Sequence, residues 1–490
     1  MRVLLVNTSE RIGGAAVACN RLMEALKSKG IKTKMLVRDK QTDQLSVIPL
    51  RGFKWMQLWR FLWERFCIWT ANRFGNKENL FSVDIANTGT DITKIPEFQE
   101  ADIIHLHWIN QGMLSLGDIK RILESGKPVV WTMHDMWPCT GICHHARTCV
   151  KFQSECTHCQ YLIGGGHRTD LSNKVFKKKQ AIYGAHNISF VTCSQWLRNL
   201  AERSALLKGQ EVTNIPNPIN TKLFRPLDKT EARKRLGLPE EGKLILFGSV
   251  KITDKRKGID YMIESCRLLV EKHPELKEQW GVVVFGNQSQ QLASMLPFKV
   301  YALDYVADEN RIADIYNAVD TYVTPSLEEN LPNTIMEAMA CGTPCVGFNV
   351  GGIPEMIDHL HNGYVAEYRN AEDFANGISW VLDTENNADA RSLYSAVSRG
   401  DISGMSFMFT VDGDSWDDME SDHPTRRIRK IDRVFEVSAV TFPAYAQTSI
   451  QARGLSETLE SAKESLESAR AASRAIERQK QKIRILTEVL

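Results

Sequence analysis

The chain has 490 residues, 43% of them hydrophobic, so it is long enough for two or three domains with sizeable cores. Its 61 basic and 59 acidic residues leave a net charge of +2, which gives no overall reason to expect nucleic acid as a partner. No segment reaches about 18 uninterrupted apolar residues and the N-terminus lacks the apolar run of a signal peptide, so a cytoplasmic location is predicted. Eleven cysteines in such a chain indicate reduced thiols or metal ligands rather than a disulfide framework.

Two successive series of short apolar runs, with helical stretches between the runs, predict two doubly wound α/β domains over 1–205 and 206–386. The predicted strands of the first series are 3–7, 34–37, 102–107, 129–134 and 188–194. The predicted strands of the second series are 243–250, 282–286, 300–303, 320–325 and 344–350. Ligands of open α/β sheets bind beyond the carboxyl ends of the strands, so we expect a site in a cleft between the two domains.

A glycine pair and an aromatic segment lie within the first predicted domain. Gly13 and Gly14 separate the first strand from its helix, where they allow close approach of a phosphate or simply form a tight turn. The segment 52–70 places aromatic and apolar side chains at helical spacing, namely Trp55, Trp59, Leu62, Phe66 and Trp69. Because basic residues are interspersed, this helix fits either an anionic membrane surface near a lipid-linked acceptor or a face that packs onto the first domain.

Residues with ligand chemistry follow the predicted strand 129–134. His134 ends this strand, which places an imidazole at the edge of the predicted cleft, either as a functional group or as a structural hydrogen-bonding group. The candidate metal ligands in the loop that follows are Cys143, Cys149, Cys156 and Cys159. The last two have the C-x2-C spacing of metal ligands, while the upstream pair is irregular. The sequence leaves open a structural zinc site or reduced cysteines in a loop.

Two carboxylates, Glu329 and Glu337, are separated by seven residues around a predicted helix start at Pro332. One carboxylate lies in a loop and the other lies one turn inside the helix. Unpaired N–H groups at a helix start favour an anion such as a diphosphate, and Asn333 and Thr334 are predicted to contact it. Two acceptors beside a phosphate site suit a sugar nucleotide.

A basic loop follows the first strand of the second predicted domain. The sequence GSVKITDKRKG contributes Lys251, Lys255, Arg256 and Lys257. These cations suit the charge of a diphosphate leaving group, and a solvated basic turn is the alternative.

The E-x7-E pair, the two-domain pattern and the linker INTKLFRP together resemble the retaining GT-B glycosyltransferases of the group 1 and family 4 type, over residues 1–386. The resemblance implies two Rossmann-like domains facing a cleft, the first for the acceptor and the second for a UDP- or GDP-sugar. In that family the first glutamate holds donor-sugar hydroxyls and the second holds the ribose, so Glu329 and Glu337 are expected to take these roles. A histidine comparable to His134 contacts the donor sugar there. The resemblance implies no catalytic metal.

The same resemblance assigns Lys257, which precedes Gly258, and Lys251 to the leaving diphosphate. The family usually has arginine at the position of Lys251, and lysine lacks the bidentate guanidinium fork. Retention is implied by the resemblance, with the donor phosphate oxygen assisting deprotonation of the acceptor. The predicted function is transfer to a glycan or lipid-linked acceptor in surface polysaccharide biosynthesis, at the inner face of a membrane.

Residues 387–490 break the α/β pattern. The segments 391–418 and 433–455 resemble the later half of phage prohead (capsid maturation) proteases, in which Ser406 would be the nucleophile. The catalytic histidine of that family lies in a portion this chain lacks, so 387–452 is interpreted as a β-containing, proteolytically inactive fragment. A heptad pattern over 453–490 predicts a long helix that self-associates through 455–490, or a solvated helical tail.

This change of pattern predicts a fusion in which the usual crossing helices of the glycosyltransferase are replaced, so turnover by this chain is conditional. The alternative is a chimeric or phage capsid-assembly protein whose tail derives from a prohead protease. Nucleotide binding would favour the transferase, and self-association through the heptads would favour assembly.

Overall fold

The computed structural model describes residues 1–50, 52–74, 79–251, 254–382, 404–417 and 425–440. The chain forms two compact units, Met1–Leu382 and Asp383–Leu490. The first unit contains two parallel β-sheets with helices between their strands, which confirms the predicted pair of Rossmann-like domains. No helix in the described ranges is both long enough and apolar enough to cross a membrane.

The first sheet has seven strands in the order β3-β2-β1-β4-β5-β6-β7. The strands are β1 (Arg2–Ser9), β2 (Lys32–Asp39), β3 (Val47–Pro49), β4 (Ile103–Leu106), β5 (Val129–Met133), β6 (Ser189–Thr192) and β7 (Glu211–Asn214). All five predicted strands of this domain are present. The two unpredicted strands, β3 and β7, are edge strands of three and four residues, and β7 extends the sheet beyond the predicted boundary at residue 205.

The helices of the first domain are α1 (Gly14–Ser28), α2 (Lys54–Ala71), α3 (Pro96–Glu100), α4 (Leu116–Glu124), α5 (Leu171–Gly184) and α6 (Gln195–Glu202). The main core contains the fully buried side chains of Trp131, Trp137 and Phe190, whose rings contact one another. A smaller apolar cluster includes Leu5, Cys19 and Met35 from β1, α1 and β2. Burial of these side chains is the main force that holds the helices onto the sheet.

The second sheet has six strands in the order β10-β9-β8-β11-β12-β13. The strands are β8 (Lys243–Lys251), β9 (Trp280–Asn287), β10 (Lys299–Ala302), β11 (Thr321–Thr324), β12 (Cys345–Phe348) and β13 (Gly363–Ala366). The helices are α7 (Lys229–Leu236), α8 (Ile259–Lys272), α9 (Leu276–Gln279), α10 (Glu309–Ala318), α11 (Asn333–Ala340), α12 (Ile353–Met356) and α13 (Ala371–Leu382). All five strands predicted for this domain are present.

Strand order reverses between β1 and β4 in the first sheet and between β8 and β11 in the second. Loops at such reversals separate and leave a crevice at the carboxyl edge of a parallel sheet. The loops after β1 and β8 carry Gly13 and Lys257, and the loop after β11 carries Glu329. The predicted site residues therefore lie where each sheet opens.

Two glycines permit close backbone approaches around this crevice. A Cβ on Gly258 (φ +71°) would lie 1.8 Å from the carbonyl oxygen of Pro325, and a Cβ on Gly351 (φ +60°) would lie 1.9 Å from that of Glu329. Both positions also have a left-handed backbone that glycine adopts without a steric cost. These glycines allow the loops after β8 and β12 to pack against the loop that carries Glu329.

The described part of the second unit is an antiparallel pair, β14 (Gly404–Asp417) and β15 (Thr425–Val440). Ser406 lies in β14 opposite Ser438. The heptad segment 453–490 lies outside the described residues, and the prohead-protease resemblance stays a prediction.

Candidate active site

Glu337 is a buried carboxylate whose partners come from both domains. It lies in the second turn of α11, with 9% of its side chain exposed. It accepts hydrogen bonds from Arg21 Nη2 of α1 at 2.8 Å and from the Tyr316 hydroxyl at 3.0 Å. Burial raises the pKa of Glu337, an effect that the guanidinium of Arg21 opposes. A carboxylate in this position can accept hydrogen bonds from a vicinal diol.

Arg21 is a site residue that sequence reasoning missed. Its side chain is 9% exposed and also contacts Glu309 at 3.2 Å, and its guanidinium lies 4.9 Å from the centre of the Phe224 ring. Nε and Nη1 of Arg21 have no hydrogen-bond partner within the described part of the chain. An arginine in the middle of α1 gives no motif signal, because its partner is 316 positions away in the sequence.

Glu329 and Lys257 form an ion pair between the loops that follow β11 and β8. The carboxylate is 13% exposed and the lysine 35%. The structure therefore brings together two residues that the resemblance assigned to the donor. The ammonium lies between the loops at the crevice, where it can offset the charge of a phosphate as well as that of Glu329.

The start of α11 contacts the glycine turn of the first domain. Asn333 Nδ2 donates to the carbonyl oxygen of Gly14 at 2.9 Å, and Asn217 Nδ2 donates to Asn333 Oδ1 at 3.0 Å. Neither α11 nor α1 has a side-chain cap, since Pro332 and Gly13 occupy the cap positions. The first N–H groups of both helices thus remain available to an anion. Thr334 is the second residue of α11, in the same turn.

His134 is buried in a group of stacked histidines. Its Nε2 lies 3.0 Å from His107 Nδ1, and the ring centres of these two residues are 5.3 Å apart. His105 also stacks on His107, with ring centres 4.4 Å apart. Burial lowers the pKa of His134 to about 4, so its imidazole is neutral at neutral pH. The structural hydrogen bond that the sequence left open is therefore present.

Asn330 joins the two domains beside His134 and was not identified from the sequence. Its Nδ2 donates to the His134 carbonyl oxygen at 3.1 Å, and its Oδ1 accepts from Ser194 Oγ at 2.5 Å. Glu355 makes a similar bridge, because its carboxylate accepts from the N–H groups of Gln195 and Trp196 at the start of α6. These contacts hold the crevice closed on one side.

The remaining basic residues of the loop after β8 differ in their surroundings. Lys251 is the last residue of β8 and pairs in register with Asn287. Arg256 is held by Asp254 through Nη2 at 2.7 Å and Nε at 3.2 Å, which raises the pKa of the arginine. Of the four cations in this loop, the one that pairs with a predicted donor carboxylate in the described structure is Lys257.

The four loop cysteines are not arranged as a zinc site. Among the described residues, no group of three or more His, Cys, Asp or Glu is placed to hold a metal ion. Cys143 and Cys156 belong to the core of the first domain, and Cys149 and Cys159 pack against it. Burial raises the pKa of Cys156 to about 12 and that of Cys159 to about 11, as for thiols in apolar surroundings. The reduced-thiol alternative fits these positions, and the structural zinc site stays a prediction.

Family descriptions match both domains. "Glycosyltransferase Family 4" matches residues 12–223, and "Glycosyl transferases group 1" matches residues 228–396. A protein from Thermobispora bispora named D-inositol 3-phosphate glycosyltransferase is 26% identical over 58% of this chain and 62% of its own length. A protein of the same name from Acidothermus cellulolyticus is 26% identical over 58% of this chain and 60% of its own length. The chain thus spans about three fifths of these curated relatives.

Solved structures share the fold. Sucrose-phosphate synthase from Thermosynechococcus elongatus has a TM-score of 0.51 and 18% identity, over 81% of this chain and 98% of its own. HepE from Anabaena, solved with UDP and glucose, has a TM-score of 0.51 and 17% identity, over 81% of this chain and 94% of its own. With two matching family descriptions and two Rossmann-like sheets, residues 12–396 consist of the family 4 and group 1 domains of a GT-B glycosyltransferase.

Proposed function

We propose that the chain transfers a sugar from a UDP- or GDP-sugar to a glycan or lipid-linked acceptor, with retention of configuration, in surface polysaccharide biosynthesis. The observation that carries the proposal is the placement of Glu337 and the Glu329–Lys257 pair around the uncapped start of α11. HepE, which shares the fold, was solved with UDP-glucose. The names of the curated relatives also support glycosyl transfer.

Each group has a distinct part in the proposed reaction. Glu337 accepts the ribose hydroxyls, and Glu329 accepts hydroxyls of the donor sugar. The ammonium of Lys257 and the N–H groups at the start of α11 stabilise the charge of the departing diphosphate. Neutral His134 comes from the first domain, where its hydrogen bond to His107 fixes the orientation of its ring.

Bond changes in the reaction balance without an enzyme nucleophile. The bond between the anomeric carbon and the β-phosphate oxygen breaks, while the acceptor oxygen bonds to the same carbon on the same face. The acceptor proton passes to the departing phosphate oxygen, so a glycoside and a nucleoside diphosphate leave. The protein acts by positioning the two substrates and by stabilising charge.

Calorimetric titration of the full chain with UDP and with GDP tests the nucleotide site. We expect one of them to bind, and we expect Glu337→Gln to weaken that binding by about 10- to 100-fold, because a hydrogen bond to a charged group is worth about 1.5–3 kcal/mol. Glu278→Gln, at an exposed glutamate of α9, is the matched control. Unchanged affinity in Glu337→Gln would refute the site assignment, and an inverted anomeric product in an NMR assay would refute retention.

We also propose that α2 binds the anionic inner surface of a membrane, near a lipid-linked acceptor. The face of this helix that packs on the domain contains Glu64, Arg65 and Ile68, while Trp55, Trp59 and other large apolar residues are exposed. This arrangement reverses the usual one, in which apolar side chains face the core. Packing of the whole aromatic stripe onto the first domain, the alternative left open by the sequence, is not observed. Binding to lipid vesicles tests the proposal.

A further inference from the structure

A separate cavity of about 260 Å³ lies beside the donor residues, between the two domains. Its walls include Trp108, Asp135 and His145 from the first domain and Arg256 and Glu328 from the second. Arg256 and Glu328 are the sequence neighbours of Lys257 and Glu329. The cavity is therefore adjacent to the proposed donor site and receives walls from the domain expected to hold the acceptor.

Carboxylates outnumber cations in this wall. Two carboxylates line the cavity, those of Asp135 and Glu328, and their side chains are 13% and 12% exposed. The described lining also contains one guanidinium, that of Arg256. The Nε and Nη2 groups of Arg256 already donate hydrogen bonds to Asp254. Glu328 is paired with Arg147 of the first domain, which lies outside the lining, at 2.5 Å. An anionic ligand in this cavity would therefore lie beside two carboxylates, and the described lining residues offer it no guanidinium that lacks a partner.

Asp135 is held rigidly in its charged form. Its Oδ2 accepts from Trp108 Nε1 at 2.8 Å and lies 2.7 Å from His144 Nδ1, and its Oδ1 accepts from the N–H of Trp137 at 2.8 Å. These interactions keep the pKa of Asp135 well below its usual range despite the opposing effect of burial. His144 in turn contacts Asp84 through Nε2 at 2.6 Å. A fixed carboxylate with remaining acceptor capacity suits ligand hydroxyls.

The cavity also contains groups that suit a sugar ring. The ring of His145 makes no hydrogen bond within the described structure, although its backbone oxygen accepts from Tyr161 at 2.5 Å. Burial lowers the pKa of His145 in spite of the nearby Asp135, Glu328 and Glu329, so the ring is neutral, with one donor and one acceptor nitrogen. The half-buried indole of Trp108 adds an apolar face. The volume lies below the roughly 300–1,000 Å³ of pockets for drug-sized ligands.

We infer that this cavity binds the acceptor as an uncharged, hydroxyl-rich sugar unit rather than a phosphorylated polyol, with His145 as the free hydrogen-bonding group that recognises a hydroxyl. The inference rests on the proposed glycosyl transfer. It distinguishes this chain from relatives whose names specify D-inositol 3-phosphate. Glu328 adds to this specificity because its charge disfavours an acceptor phosphate.

Saturation-transfer NMR on the full chain, with and without saturating UDP or GDP, tests this inference. The probes are the methyl glycosides of glucose, galactose, mannose and N-acetylglucosamine, together with D-inositol 3-phosphate. We expect at least one glycoside to bind, and D-inositol 3-phosphate to bind at least about tenfold more weakly. His145→Ala should weaken glycoside binding by about tenfold or more, whereas His361→Ala, at an exposed remote histidine, should not.

Glu328→Gln should reduce the difference in binding affinity between the glycoside and D-inositol 3-phosphate, because the substitution removes a negative charge that repels the phosphate. The inference is overturned if no glycoside binds, if D-inositol 3-phosphate binds as tightly as the best glycoside, or if His145→Ala has no effect. Nucleotide titration of the same variants separates the two proposals. If a variant loses glycoside binding but keeps its affinity for the nucleotide, the result bears on the acceptor cavity. If the parent chain does not bind a nucleotide, the result bears on the proposed function.

Discussion

Gly351 shows how a single backbone position supports the donor site. The carbonyl oxygen of Glu329 lies where a side chain on Gly351 would begin. We expect Gly351→Ala to destabilise the first unit by about 1–3 kcal/mol and to displace Glu329, because the added methyl clashes and the backbone is left-handed. Gly126→Ala is the control, since that glycine has a similar φ of +74° with open space around it. Equal thermal unfolding of both variants would contradict the packing role.

The stacked histidines predict a pH dependence of stability. Burial lowers the pKa of His105 and of His134 to about 4, and that of His107 further, from the usual value of about 6.5. Between these values the unfolded chain binds more protons than the folded one, so the free energy of unfolding falls as pH falls from 6.5 toward 4. Denaturant titrations from pH 7 to 5 check this, and His107→Asn should flatten the dependence. A flat profile in the parent chain would show that these rings are not buried.

Glu329, Glu337 and Lys257 were predicted from the sequence because their spacing and the motifs around them resemble the pattern of the family. Arg21 and Asn330 were not, because each acts through a partner that is distant in the sequence. The hydrogen bond between Asn330 and the His134 backbone joins residues 196 positions apart. Cys156 and Cys159 illustrate a different limit, since their C-x2-C spacing is typical of metal ligands while folding places Cys156 in the apolar core and Cys159 against it. Spacing predicts local chemistry but not which side chains meet across the crevice.

Helix α2 provides a test of membrane binding. Trp59 and Trp63 are 52% and 41% exposed and stack with ring centres 5.5 Å apart. The double variant Trp59→Ser/Trp63→Ser should lower the affinity for phosphatidylglycerol vesicles by about tenfold or more, because burying such a side chain is worth about 1.5–3 kcal/mol. Vesicle sedimentation measures this, with Tyr305→Ser, at an exposed aromatic residue in the second domain, as the control. Equal sedimentation of the double variant and the parent chain would exclude this surface.

Long apolar strands such as β8 could be predicted from the sequence, whereas the short polar strand β7 could not. Strand β8 is rich in buried apolar residues and matched its prediction closely. Strand β7, with the sequence EVTN, has alternating exposed and half-buried residues at the edge of the first sheet. Such a segment pairs because β6 offers a free edge, which is a property of the neighbouring strand rather than of its own composition.

Separation of the chain into two compact units predicts that nucleotide binding and self-association are independent. The described donor-site residues all lie within Met1–Leu382. A chain of residues 1–396 should therefore bind nucleotide within about twofold of the full chain, and it should be monomeric if the heptads of 455–490 mediate association. Light scattering and calorimetry measure the two properties. A self-associating 1–396 chain would place the contact elsewhere.

Most of the domain architecture was predictable because alternating apolar strands and helices specify a parallel sheet. The boundary between the two domains was harder to predict, because the chain after α6 returns to the first sheet through β7 before it enters the second domain. Residues 387–452 illustrate another limit. Their assignment to a protease rests on resemblance alone.

If Glu337 holds the ribose as proposed, its contact with Arg21 makes nucleotide entry an exchange process. A ribose that binds Glu337 must displace a guanidinium already held at 2.8 Å, so the carboxylate is never left buried without a partner. The observed rate of association in stopped-flow mixing should then reach a plateau at high nucleotide concentration, set by release of the arginine. Arg21→Met should remove the plateau, and a rate that rises linearly in the parent chain would show that the contact opens faster than nucleotide arrives. The arginine would thus regulate the speed of donor capture as well as occupy its site.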